Sequence, residues 1–133
     1  MIKSILHIGE VSELLKSYGL EDVAVRVVKD LPLGNRPFLP ACTMPDLETN
    51  KQTIYLREVM DEDVIIAGKQ LIPKRIVSTL TSEKLFLIHT ILHEIAHIIF
   101  RHRPTNYESR IDNEQVADFW AFHEMKKMGL ITD

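Results

Sequence analysis

The sequence predicts an α+β domain, and three observations carry that expectation. Two short segments rich in β-branched or aromatic residues, 23–28 and 53–58, fall in the first half of the 133-residue chain. Two apolar patterns of helical spacing occupy the second half, from residue 82 to about residue 127. Four of the six prolines (Pro32, Pro37, Pro40 and Pro45) crowd into residues 31–45 and break the chain there. Strands first and long helices after is the order of a fold with segregated sheet and helices. A small mixed or antiparallel sheet is expected, within one domain spanning 1–133.

The elements follow in order. Residues 9–18 predict a short amphipathic helix, with Val11, Leu14, Leu15 and Tyr18 at i, i+3, i+4 and i+7 and Gly19 where it would stop. Residues 23–28 predict a strand. Residues 31–45 predict a loop containing Gly34 and Asn35, with a brief extended piece at 41–44. Residues 53–58, Thr-Ile-Tyr-Leu-Arg-Glu, make the strongest strand pattern. Residues 64–72 stay undecided, because Gly68 interrupts either period. A helix begins after Thr81 or Ser82, where a hydroxyl can cap it and Glu83 suits its positive end. Leu85, Ile88, Leu92, Ile95 and Ile99 form its apolar stripe, and Pro104 should end it near residues 101–103. A polar connection is expected at 105–111. Asp112 or Asn113 then caps a last helix running to about Lys127, with Gly129 beyond it.

Composition narrows the function. Lysine and arginine total 16 against 19 acidic residues, a net charge of -3. A protein that binds nucleic acid by neutralising phosphates would be basic, so direct nucleic-acid binding is not expected. One cysteine, Cys42, excludes an internal disulfide and a cysteine-rich metal site, and is expected to be a small buried hydrophobe. No apolar run approaches the roughly 18 residues of a membrane span. The first eight residues hold one lysine and too short an apolar stretch for a secretion signal. A soluble cytoplasmic protein is therefore expected.

The chemistry concentrates at His93-Glu94-Ile95-Ala96-His97, the pattern H-E-x-x-H. Residues four apart share one face of a helix, so both imidazoles can point at one ion. Glu94 projects beside that ion, where it can hold a water and take its proton. With 6 histidines and 11 glutamates, chance would produce the pattern in about 2 of 100 such chains. A hydrolytic zinc site takes three protein ligands and keeps one position for water. Seventeen residues after His97, Glu114 and Asp118 again stand four apart, beside the small residues Ala117 and Ala121. Glu114 can supply the third ligand. Asp118 can accept the ring N–H of a ligating histidine and so fix its tautomer.

Thr90 to Ile99 around the H-E-x-x-H motif, followed by Glu114-x-x-Ala117-Asp118-x-x-Ala121, resembles the ImmA/IrrE-type zinc metallopeptidases. These are small cytoplasmic proteins of bacteria, phages and mobile elements. More broadly the two motifs are similar to the gluzincin pattern of thermolysin-like enzymes, whose third ligand is a downstream glutamate and whose aspartate four residues later supports a histidine. The resemblance covers about residues 53–125. It implies a zincin-like fold, one Zn2+ on His93, His97 and Glu114, Glu94 as base and Asp118 behind a ligand. It implies a protein substrate, such as a helix-turn-helix repressor. An extended substrate is expected to lie along the edge of the 53–58 strand, by strand addition. Tyr107, between the two ligand-bearing segments, matches the region from which thermolysin-like enzymes draw a tyrosine that stabilises the oxyanion. The chain departs from the family at Ala96, usually glycine, at His89, commonly phenylalanine, and at Val116, usually acidic.

Other residues have plainer expectations. His89 lies one turn before His93 and is expected to be a partly buried neighbour, with a spare ligand or substrate-facing group as the alternative. Arg101, His102 and Arg103 suit the negative end of the motif helix. Val116, Phe119, Trp120 and Phe122 are expected to pack in the core or to face a partner. A competing class is a zinc-containing binding or antitoxin-like protein that keeps the site without proteolysis, although such a site has no use for Glu94 as a base.

Overall fold

The computed structural model describes residues 1–32, 39–101 and 107–132, and for Tyr107 the backbone alone. Residues 33–38 of the expected 31–45 loop, and His102, Arg103 and Pro104, lie outside the described residues. The chain is a mixed α+β protein that divides into two compact units, Met1–Gly68 and Lys69–Asp133.

The first unit opens with a two-residue strand β1 (Ile2–Lys3), a 3-10 turn and helix α1 (Ile8–Ser17). Val11 and Leu15 bury the predicted face of α1. Gly19, at φ +73°, closes it: the Leu20 N–H donates to the Leu15 carbonyl and the Gly19 N–H to that of Lys16. A side chain would resist that left-handed turn, which is why glycine stands there.

Strands β2 (Ala24–Val28), β3 (Ala41–Pro45) and β4 (Gln52–Arg57) make a mixed sheet in the order β2-β4-β3. β2 runs parallel to β4 and β3 antiparallel to it, with Ile54 opposite both Val25 and Thr43. The 41–44 extended piece is thus a full strand. β4 is central, so Thr53, Ile54, Tyr55 and Leu56 are all buried. This corrects the expected substrate path: both hydrogen-bonding sides of β4 are occupied, so it offers no edge to an added strand.

The hairpin between β3 and β4 is organised by Asp46. Its Oδ1 accepts from the Glu48 and Thr49 backbone N–H groups, and its Oδ2 accepts from Arg26 Nη1 at 2.7 Å and the Tyr55 hydroxyl at 3.0 Å. The backbone N–H of Thr49 leads a set of donors that holds this carboxyl well below the usual range. Cys42 packs with Leu31 and Tyr55 in an apolar cluster, as its composition suggested. β5 (Val59–Met60) pairs with β1. Helix α2 (Glu62–Gln70) then resolves the undecided segment. Asp61 caps it by accepting from the Val64 N–H, and Gly68 lies buried near Val64 and Ile65 instead of stopping it.

The second unit holds α3 (Lys74–Val77), α4 (Glu83–Ile99) and α5 (Tyr107–Lys127). Ser82 caps α4 through the Leu85 N–H. The helix ends at Ile99, short of 101–103, because Arg101 turns left-handed at φ +51°. Its burial is wider than one stripe: Phe86, Leu87 and Ile91 join Leu92 and Ile95 in the core, while Ile99 is exposed. α5 begins at Tyr107, which corrects the expected start near Asp112; those residues continue a helix instead of capping one. Ala117, Ala121, Phe122 and Met125 are buried along it, and α5 packs on α4. Phe122 is buried and Trp120 half-buried, while Val116 and Phe119 are exposed. Gly129, at φ +74°, terminates the helix as anticipated. Among the described residues no helix is long and apolar enough to cross a membrane.

Candidate metal centre

The centre lies where α4 meets α5, inside the second unit. Helical spacing stacks His93 and His97 on one face of α4, with ring centroids 4.7 Å apart. Opposite them the small buried residues Ala117 and Ala121 allow the helices to approach. Glu114, one turn before Ala117 and Asp118 on α5, thereby reaches both rings.

The donor atoms converge. His93 Nε2 lies 2.9 Å from Glu114 Oε2, His97 Nε2 lies 3.0 Å from Glu114 Oε1, and the two Nε2 atoms are 3.1 Å apart. Tetrahedral zinc at about 2.0–2.2 Å from each ligand would set them about 3.3 Å apart. The observed triangle is only a few tenths of an ångström tighter. Two imidazole nitrogens 3.1 Å apart repel unless a proton or a cation lies between them. The three residues therefore fit a divalent cation.

Asp118 fixes the ring. His93 Nδ1 lies 2.7 Å from Asp118 Oδ1, and a carboxylate can only accept, so the N–H is on Nδ1. A neutral His93 then has a bare Nε2 lone pair, the tautomer that a metal ligand would need. Exposure separates the two sets of residues. Asp118 shows 5% of its side chain to solvent, whereas His93, His97 and Glu114 show 14%, 17% and 50%. The donors face outward and their support is buried.

The charges match. Burial works against charge on His93, but hydrogen bonds to Asp118 and Glu114 outweigh it and hold the pKa well above the ordinary histidine value. Burial likewise opposes the charged forms of Glu114 and Asp118, yet the histidines that bond them leave both carboxyls below the usual range.

Of the predicted site residues, the structure brings His93, His97, Glu114 and Asp118 together. Glu94 is buried on α4, and its charge reaches His93. Tyr107 starts α5, and its side chain lies outside the described residues, as does His102. Sequence reasoning missed the depth of His89. It is 1% exposed and its Nε2 lies 3.1 Å from Asp118 Oδ1. Its place one turn before His93 puts it on the same face of α4, but its burial depends on what α5 sets against it. No family model matches the chain, and no curated protein or solved structure is significantly similar to it.

Proposed function

We propose that this protein is a zinc-dependent metalloendopeptidase of the ImmA/IrrE type, cytoplasmic, acting on a regulatory protein such as a helix-turn-helix repressor of a phage or mobile element. The observation that carries the reading is the convergence of His93 Nε2, His97 Nε2 and Glu114 within 3.1 Å of one another, backed by Asp118. Those three residues would hold the ion. Bound zinc would supply Lewis-acid chemistry, acidifying a water and polarising a peptide carbonyl.

The chain's own residues do the rest. Asp118 keeps His93 in its ligating tautomer. Glu94, adjacent in sequence to His93, accepts a proton from the attacking water and passes it to the departing amine. The buried second row under the ligands keeps water away from the back of the site. A purely structural zinc site would close all four positions with protein ligands.

Two measurements test this. Zinc-loaded protein should bind one small hydroxamate per chain, and failure to bind would indicate a closed site of the binding-protein kind. Glu94→Gln should lower cleavage of a repressor substrate by at least about 10²-fold with zinc content unchanged. Cleavage that survives in this variant while zinc stays bound would contradict the assignment of the base.

A further inference from the structure

We infer that His89 is a positioning residue of the metal centre: its ring N–H clamps Asp118, so that the same carboxylate oxygen holds His93 in its ligating tautomer. The inference rests on the metal reading of His93, His97 and Glu114, and adds a residue that belongs to neither the ligand set nor the base.

One atom receives two donors. Asp118 Oδ1 lies 2.7 Å from His93 Nδ1 and 3.1 Å from His89 Nε2. An aspartate held by one donor can swing about its terminal torsion, which is broad. Two donors on one oxygen, both from α4, fix the carboxylate against that swing and tie α5 to α4 one turn below the ligands. His89 is 1% exposed, so its position is set by the core around it.

The other nitrogen of His89 supplies the second argument. Its Nδ1 is buried and has no hydrogen-bond partner among the described residues. A neutral imidazole carries one N–H. With a carboxylate beside Nε2 and no partner for Nδ1 among the described residues, the proton belongs on Nε2, from which it can be donated. A phenylalanine or leucine would fill the same core position without burying an unpartnered nitrogen, which is costly. What an apolar residue lacks is the N–H, and Asp118 is where that N–H goes. The three side chains His89, His93 and Asp118 also form a triangle of donor atoms. A second ion there would compete with both hydrogen bonds, and the metal count decides between the two.

The experiment combines zinc competition against a chromophoric chelator, the visible spectrum of the cobalt(II)-loaded protein and the ¹⁵N shifts of the histidine rings. In wild-type protein without metal, His89 should be the Nε2–H tautomer. An Nδ1–H tautomer cannot donate to Asp118 and would overturn the inference without any variant. His89→Phe should bind zinc about 10-fold more weakly and shift the cobalt bands, in line with loss of a supporting hydrogen bond. His89→Gln, which restores an N–H donor, should recover most of the affinity and the spectrum. Unchanged binding and spectrum in His89→Phe, equal losses in the two variants, or two metal ions per chain would each overturn it. If His89→Phe does not fold, the tautomer and the glutamine variant decide. Wild-type protein that takes up no zinc overturns the metal reading and this inference together. Wild-type protein that binds zinc beside an indifferent His89→Phe overturns this inference alone.

Discussion

Glu114 and Asp118 stand four residues apart on α5 and differ in exposure and contacts. Glu114 offers a half-exposed carboxylate to two imidazoles, while Asp118 is buried behind one of them. Glu114→Ala removes one of three protein donors, and two histidines seldom hold zinc against a chelator, so this variant should be largely apo. Asp118→Ala should still bind, with affinity down by roughly 10–100-fold. Glu108→Ala, at the exposed start of α5, should do neither. A chelator titration with zinc release as readout separates the three, and equal retention by Glu114→Ala and Glu108→Ala would displace Glu114 from the ligand set.

The same residues set a pH dependence. In the apo protein the His93 pKa is raised, so its contribution to stability is full below the unfolded value of about 6.5 and fades as pH rises through the folded one. The Glu114 and Asp118 pKa values are lowered, so theirs is full above about 4 and fades as pH falls through the folded values. The cluster should therefore stabilise the apo fold most between about pH 4 and 6.5. Zinc must displace the His93 proton, so the rise in melting temperature on adding zinc should grow as pH increases above that window. Melting curves with and without zinc across pH 5–9 check it; a zinc effect that shrinks with rising pH would contradict the ligand assignment.

At the scale of elements, the two long helices were legible because their signals are dense: a serine cap, histidines and apolar residues at helical spacing, and a glycine stop. The first-half strands 23–28 and 53–58 were legible from β-branched runs. What was not legible has physical causes. β1 and β5 are two residues each and exist only by pairing with one another, so no local pattern marks them. α2 was obscured by Gly68, which is buried within the helix. α5 starts before the polar residues Asp112 and Asn113, which look like caps but need not act as one. The order of strands in the sheet is a long-range property, and with it went the expected edge at β4.

The contact between α4 and α5 carries the site, and its closeness depends on Ala117 and Ala121, both fully buried. Ala121→Leu should overpack it and destabilise the protein by about 1–3 kcal/mol. Glu114 would then be held away from the histidines, so zinc affinity should fall along with the melting temperature. Thermal melting and zinc competition on that variant check both effects; a stable variant with undiminished affinity would show that close helix approach is not what sets the donor triangle.

At the scale of the molecule, the candidate site belongs to the second compact unit, where every proposed ligand and support residue lies. The motifs made most of it readable in one dimension: H-E-x-x-H fixed the α4 half, and the Glu114–Asp118 spacing marked the α5 half. The depth of His89 was not readable, since burial depends on what α5 places against it. The first unit is built around its own sheet and the Asp46 hairpin.

The measurement that tests the central claim most directly is metal content. Protein purified without added zinc, then reconstituted and desalted, is assayed by elemental analysis beside His97→Ala. The account predicts one zinc per wild-type chain and a large loss in the variant, because one of three ligands is gone. Less than about a third of an equivalent in wild-type protein, with no uptake on reconstitution, would contradict it.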